Sequence, residues 1–306
     1  MKYIVTGSCG FIGSNLVDTL VSQGHNVVGI DNLSSDAHDN FYYNDKATYY
    51  QYNITDYVMC SDVFARYRPD AVFHLAAEAR IQNCINDPGK CMETNVLGTE
   101  TMLCLAKKHS AKRFIFMSTS AIYGMREPPN LEWDDQDCLN AYSYSKFFGE
   151  NLCKMYSTNY GLDTACFRGF NIYGNRMPKK GQYALVLGIF QRLLRECKAL
   201  TITGRGNQSR DFVHVDDVCR ALIAGAESPN SQNGCIYNVG TGKSITIKRI
   251  AELMRDRWDS KLPFEFLPAR QGEAMITQAN IQRIKDRLGW EPKISVEDWI
   301  SNLDIT

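Results

Sequence analysis

The sequence predicts an α/β protein, a doubly wound parallel sheet with a smaller, interleaved α/β domain toward the C-terminus. Three observations carry this. In the N-terminal half, short runs of β-branched and aromatic residues alternate with stretches of helical periodicity, a pattern that demands parallel pairing through crossover helices. Those runs are continuously apolar, as in a sheet covered on both faces. Past about Phe170 the alternation loosens without a low-complexity linker or internal repeat, so the second unit is expected to be woven into the first.

Taken in order, Tyr3-Ile4-Val5 reads as a strand, Gly13 to Ser22 as a helix, and His25 to Asp31 as a second strand built on Val27, Val28 and Ile30. Ala71 to His74 and Arg113 to Met117 are two further strands, and Glu93 to Lys108 between them is helical and free of proline. Asn175 to Gly181 reads as a loop and Tyr183 to Cys197 as a helix. Thr201 to Thr203 and Phe212 to Val215 are short strands, followed by a strand at Cys235 to Val239 and a helix from Ile247 to Trp258. The expected division is residues 1–170, with 207–240 returning to the same unit, against 171–206 and 241–306.

Composition excludes several classes. Hydrophobic content of 44% and charged content of 22% are ordinary for a soluble globular chain. Lys+Arg and Asp+Glu balance at 34 each, which removes the electrostatic case for nucleic acid or an anionic membrane as a partner. The chain runs from Met1 straight into its first strand, and no apolar run reaches bilayer length, so a cytoplasmic protein is expected. The eleven cysteines form no CxxC pair, and several, such as Cys104, Cys153 and Cys166, fall within predicted strands and helices. Reduced thiols are expected, with neither a metal site nor a disulfide scaffold.

Gly7-Ser8-Cys9-Gly10-Phe11-Ile12-Gly13 joins the first strand to the first helix. Gly7 permits a tight turn, Gly10 leaves room for a pyrophosphate, and Gly13 lets the helix pack close to the sheet, while the helix N-terminus offers free N–H groups. With Asp31 at the end of the next strand, this is the pattern of a Rossmann-type dinucleotide site. A carboxylate there accepts hydrogen bonds from the adenosine ribose hydroxyls and repels a 2′-phosphate, which favours NAD over NADP. Farther on, Tyr142 and Lys146 stand four apart, on one helix face. Positive charge from Lys146 and from an oxidised nicotinamide would lower the tyrosine pKa toward a working range. Upstream, the strand ending in Ser118-Thr119-Ser120 delivers hydroxyls to the crevice where ligands bind in open α/β sheets.

Together these residues resemble the extended short-chain dehydrogenase/reductase family, and within it the nucleotide-sugar epimerases and dehydratases. The resemblance runs over nearly the whole chain: Thr6 to Gly13, Asp31 to Ser35, His74 to Ala77, Asn95 to Thr99, Ser118 to Gly124, Tyr142 to Lys146, Arg168 to Gly174, Arg210 to Val215 and Asn238 to Gly240. It implies a catalytic set of Thr119, Tyr142 and Lys146. For the cofactor it implies, besides the glycines, Cys9, Phe11, Ile12, Asp31, Asn32, Leu75, Ala76, Ala77, Asn95, Tyr142 and Lys146. Asn53-Ile54 stand where the family has Asp-Ile or Asp-Leu beside the adenine. Asn171, Arg210, Arg270 and Glu273 match positions that hold a nucleoside diphosphate, with Thr119, Ser120 and Tyr142 toward the sugar. Thr277 matches a position against C2 of the sugar, where a small residue leaves room for an N-acetyl group.

The residues after Thr119 choose the reaction. Dehydratases of the family carry Thr-Asp-Glu there and UDP-glucuronate decarboxylases carry Thr-Ser-Glu, whereas this chain has Ser120 and Ala121. A dehydratase-like Glu78 follows Ala77 but lies away from the elimination chemistry. The resemblance therefore implies an NAD-dependent UDP-hexose 4-epimerase that includes N-acetylhexosamines. The alternatives are a 4-keto nucleotide-sugar reductase, a 4,6-dehydratase, and, from another class, a non-catalytic nucleotide sensor. The family also implies a homodimer through helices near 93–108 and 142–156, with Met102, Leu103, Leu105, Phe147, Leu152 and Met155 as candidate apolar surface.

Overall fold

The computed structural model describes residues 1–35, 40–179, 185–269 and 274–305. In chain order the first part comprises β1 (Lys2–Thr6), α1 (Phe11–Ser22), β2 (Asn26–Ile30), β3 (Thr48–Tyr50), α2 (Tyr57–Tyr67), β4 (Ala71–His74), the short helices α3 (Ile81–Asn86) and α4 (Pro88–Met92), α5 (Gly98–Lys108), β5 (Arg113–Thr119), α6 (Ala141–Tyr160) and β6 (Asp163–Gly169). The second part comprises β7 (Ile172–Tyr173), α7 (Val186–Arg195), β8 (Thr201–Thr203), β9 (Ser209–Arg210), β10 (Val213–His214), α8 (Val215–Glu227), β11 (Cys235–Val239), β12 (Ile245–Thr246), α9 (Ile247–Arg257), β13 (Glu265–Leu267), α10 (Gln282–Leu288) and α11 (Val296–Ser301).

Seven parallel strands form the central sheet in the order β11-β6-β5-β4-β1-β2-β3. The order reverses between β1 and β4, which opens a crevice at the carboxyl ends of those strands, where open α/β sheets bind ligands. Side chains alternate across the sheet. Tyr3, Val5, Phe73, Ile115 and Phe167 face one core with Leu16 and Leu20 of α1 and Val218 and Leu222 of α8. Ile4, Val72, Phe114, Phe116 and Cys166 face the other, with Phe64 of α2, Met102 and Leu105 of α5 and Cys153 of α6. A third core gathers Phe190 and Leu194, Ile250 and Met254, and Ile300 from α7, α9 and α11.

Several expectations shift. The first helix begins at Phe11, ahead of Gly13, so Gly13 lies inside it. The helix expected from Glu93 opens with a π-helical turn, Glu93–Leu97, before α5. Val215, read as a strand residue, starts α8, because His214 caps that helix by accepting the Asp216 N–H at 3.2 Å. Cys84 and Cys91 contradict the expectation of reduced thiols: they are joined in a disulfide with Cα atoms 5.0 Å apart. Asp87 caps α4 and Pro88 opens it, and the resulting reversal between α3 and α4 brings the two sulfurs together. Among the described residues no cluster of His, Cys, Asp and Glu suits a metal ion, and no helix is long and apolar enough to cross a membrane.

The approach of α1 to the turn after β1 is a tight constraint in the first unit. A Cβ at Gly13 would lie 2.0 Å from the Gly7 carbonyl oxygen. Both sides of that contact are backbone, so Gly13→Ala is expected to destabilise the fold by about 1–3 kcal/mol, as overpacking does. The check is the urea midpoint of unfolding, and an unchanged midpoint would show that α1 can shift freely.

Candidate active site

The chain leaves β1 at Thr6 and turns at Gly7, whose φ of 68° suits glycine. A Cβ at Gly7 would sit 2.7 Å from the Ala76 backbone nitrogen. Gly10 then caps α1 without a side chain, leaving first-turn N–H groups open to an anion. Asp31, just past β2, accepts the Cys9 N–H at 2.9 Å through one carboxylate oxygen and the Leu33 N–H at 2.9 Å through the other. The acidic side chain is thereby tied to the glycine turn. Asn32 closes the next turn by accepting the Ser34 N–H and hydroxyl. Glycine cradle, open helix end and fixed carboxylate together fit a dinucleotide whose ribose bears free hydroxyls.

The opposite wall comes from the end of β4. Leu75 N–H bonds the Thr6 carbonyl and Ala76 N–H bonds the Thr6 hydroxyl, both at 3.2 Å, and Ala77 follows. His74 lies wholly buried between the hydroxyls of Thr6 (2.7 Å) and Thr99 (3.0 Å). Burial, reinforced by the Lys146 charge, pushes its pKa down to about 3, so the ring is neutral. Asn53 accepts the Thr55 N–H at 3.1 Å, and the buried Ile54 packs on Gly98, where a Cβ would lie 2.5 Å from it. Buried Asn95, in the π-helical turn, pairs with Glu78 by backbone contacts in both directions, 2.8 and 3.0 Å, and donates to the Ser145 hydroxyl at 2.9 Å. That last bond joins the cofactor wall to α6 one residue before Lys146.

Asn140 and Ser143 form a capping box that starts α6, which sets Tyr142 in its first turn. Thr119 ends β5 and caps the turn Ser120–Tyr123 by accepting the Ala121 N–H at 3.1 Å. Its hydroxyl lies beside that of Tyr142 and draws the phenol's pKa down. Lys146 is 4% exposed, donates to the Met117 carbonyl at 2.9 Å, and lies 4.8 Å from the centre of the Phe116 ring. Burial brings its pKa down to about 8. Burial pushes the Tyr142 phenol up from the ordinary value, and the Thr119 hydroxyl offsets part of that.

Two supporting residues carried no role in the sequence reading. Glu150, one turn beyond Lys146, accepts the Ser118 hydroxyl at 2.6 Å and the Nε and Nη2 N–H groups along one edge of the Arg168 guanidinium at 2.9 and 2.8 Å. Arg168 lies in the motif preceding Gly174, but a lone glutamate in a helix gives no such signal.

On the far side of the crevice, Asn171 (φ 27°) donates to the Asp211 carbonyl at 2.9 Å and to the Thr277 hydroxyl at 3.1 Å. Thr277 N–H bonds the Ser209 carbonyl, which also accepts from Arg210 at 2.8 Å. The structure thus brings Asn171, Arg210 and Thr277 together. Asp211, wholly buried, holds them by accepting from Thr241, Gly242 and Ala279. Arg270 and Glu273 lie outside the described residues.

The chain is similar to known proteins along its length. It is 33% identical to the UDP-glucuronate 4-epimerase of Thermodesulfobacterium geofontis, over 97% of this chain and 93% of that protein. The crystal structure of UDP-glucose 4-epimerase with UDP-glucose from Thermotoga maritima superposes with a TM-score of 0.92 at 32% identity, covering 98% of this chain and 96% of the other. The UDP-N-acetylglucosamine 4-epimerase of Methanobrevibacter ruminantium, in complex with UDP-N-acetylmuramic acid, gives 0.91 at 30% identity with the same coverage. Residues 3–240 match the NAD dependent epimerase/dehydratase family as a whole. With the glycine cradle, the fixed Asp31 and the Tyr142–Lys146 helix in place, the chain belongs to that NAD-dependent enzyme family.

Proposed function

We propose that the chain is a 4-epimerase of UDP-hexoses, N-acetylated ones included, acting through a transient 4-keto sugar. The observation that carries this is the hydroxyl pair Thr119–Tyr142 backed by buried Lys146, with Ser120 and Ala121 rather than carboxylates after Thr119. Such a site can move one proton on and off a sugar hydroxyl and lacks, at those positions, the extra acid and base that elimination needs. Residues 171–206 and 241–306 would hold the nucleotide sugar, through Asn171, Arg270 and Glu273, together with Arg210 from the returning segment 207–240. Nine free cysteines among the described residues fit a reducing compartment, the cytoplasm.

The roles follow from position. Gly7, Gly10 and Gly13 with the first turn of α1 seat the pyrophosphate, Asp31 the ribose, and Asn53 and Ile54 the adenine. NAD, when bound, supplies reversible oxidation at C4 of the sugar. Thr119 orients the 4-hydroxyl, Ser120 borders the sugar, and Tyr142 takes the proton and returns it. Lys146 remains mostly protonated at neutral pH, since its pKa of about 8 lies above it, and keeps a positive charge under the reacting face. Asn95 holds the wall opposite.

Three outcomes test the reading. Tyr142→Phe keeps the ring and removes the acid/base, so the folded variant should lose turnover by at least about 100-fold. Incubation of Tyr142→Phe and wild type with UDP-sugars, followed by NMR of the products, checks this, and near-normal turnover would refute it. For breadth, wild type should interconvert UDP-N-acetylglucosamine and UDP-N-acetylgalactosamine as well as UDP-glucose and UDP-galactose. Thr277→Tyr should cost the N-acetylated pair about 1–3 kcal/mol, roughly 5- to 150-fold, through overlap with the packed ring. Equal loss on both pairs would remove the steric argument.

The third concerns assembly. Of the apolar residues expected at a dimer face, Met102, Leu103 and Leu105 are buried in the chain's own core, and Leu152 and Met155 pack against it. The free surface is instead Tyr144 and Phe148, 46% and 44% exposed and one turn apart on the face of α6 opposite Tyr142 and Lys146, with Leu97 51% exposed before α5. A second copy is the proposed occupant. The expected mass in solution is twice that of the chain, and Phe148→Glu should shift it toward the monomer. A monomeric wild type at micromolar concentration would exclude the dimer.

A further inference from the structure

We propose that Cys84 and Cys91 are a reversible redox modification site whose state sets the turnover of the active site beside it. The bridge is isolated in a thiol-rich chain: the nine other cysteines are free. Where such a background persists, disulfides are transient or redox-sensing rather than structural. Both sulfurs belong to fully buried residues, but Cys91 backs a surface cavity of about 290 Å³ that Glu78, Asn83, Asn86, Asp87 and Lys90 complete. A small dithiol can approach there.

The neighbours of the two sulfurs connect them to the site. Cys84 Sγ lies 3.6 Å from the Glu78 carbonyl, the same oxygen that accepts Asn95 Nδ2 at 3.0 Å. Cys91 Sγ lies 3.6 Å from Asn95 Nδ2 and 3.8 Å from the Ser145 hydroxyl, next to Lys146. Acceptors for both thiols are therefore already in place, so the reduced state is accommodated without refolding. In that state the Cys84 S–H competes with Asn95 for one carbonyl, and Cys91 gains a proton against Ser145. Opening the bridge also releases α3 from α4, and with them the wall that Asn95 holds.

The exchange is ordinary thiol chemistry with a dithiol as reductant. A thiolate attacks Cys91 Sγ, the Sγ–Sγ bond breaks, and Cys84 leaves as a thiolate that takes up a proton. The second thiol then attacks the mixed disulfide, Cys91 leaves and is protonated, and the dithiol departs as a cyclic disulfide, having given two electrons and two protons. A low-molecular-weight disulfide such as oxidised glutathione reverses the sequence.

This rests on the active-site reading above, and the two fail separately: turnover retained in Tyr142→Phe would refute that reading, whereas an active but redox-insensitive wild type refutes only this proposal. The test uses the purified, NAD-loaded protein. Alkylation with N-ethylmaleimide in denaturant, read by intact mass, should label nine of the eleven cysteines without reductant and all eleven after native incubation with dithiothreitol. Reduction should lower turnover about three- to tenfold, the worth of one rearranged hydrogen bond, and oxidised glutathione should restore it. The Cys84→Ser/Cys91→Ser variant should ignore both reagents. Eleven labelled cysteines without reductant, bridge opening with unchanged kcat and KM, or a double variant that still responds would each overturn the proposal.

Discussion

Glu150 and Arg168 are both almost fully buried, and the geometry of the site depends on their meeting. Removing two charges from water is costly, and their attraction offsets it only when geometry is good and the remaining lone pairs are filled. Here Arg168 binds both carboxylate oxygens, Ser118 adds a short bond, and the guanidinium also lies 4.8 Å from the centre of the Tyr123 ring. The Glu150 carboxylate holds the Arg168 proton well above the ordinary arginine value despite burial. The pair fixes α6 along β5 and β6, and its depth is set by Gly149, where a Cβ would lie 2.4 Å from the Phe116 ring. Thr119 comes from β5 and Tyr142 and Lys146 from α6, so without that fixed depth and register the Thr119 and Tyr142 hydroxyls would not come together.

The two sides of the crevice are built by different physics. The cofactor side is a close approach of backbones, with Gly7 against Ala76 and Gly13 against Gly7, and no side chain to adjust. The far side, proposed to hold the substrate, is a polar hub around the buried Asp211 carboxylate, which gathers the backbones at Thr241, Gly242 and Ala279. Burial holds the Asp211 pKa above the ordinary value, and these donors offset only part of that. A rigid cradle suits a ligand of constant shape, while a hub of hydrogen bonds lets segments that are distant in sequence close around a variable one.

How much of this was legible in the sequence follows from the range of each interaction. The glycine turn, Asp31 and the Tyr142–Lys146 spacing were readable because strand, turn and helix are local, and local pattern dictates them. β3 and α2 were passed over: Thr48–Tyr50 is three residues at a sheet edge, and α2 buries only Cys60, Val63 and Phe64. Met102, Leu103 and Leu105 read as dimer-face candidates because helical spacing gives a face but not which core claims it, and they are buried in this chain's own core. The Cys84–Cys91 bridge was missed because neither residue sits in a recognised spacing, and only the reversal at Asp87-Pro88 brings them together.

The charges at the site set the state of Tyr142. A half-buried phenol beside a neutral hydroxyl favours its protonated form, and Tyr142 obeys this. Lys146 instead balances its own burial with the Met117 carbonyl and the Phe116 ring face, so its charge is stored beneath the sheet end rather than spent on the phenol. A protonated His74 on the same wall would compete with that charge, and its burial between two hydroxyls keeps it neutral. Lys146 is therefore a cation in reserve under a neutral acid. In the proposed reaction an oxidised nicotinamide ring is the further positive charge that would let Tyr142 act as a base, and proton abstraction would then be confined to the loaded enzyme.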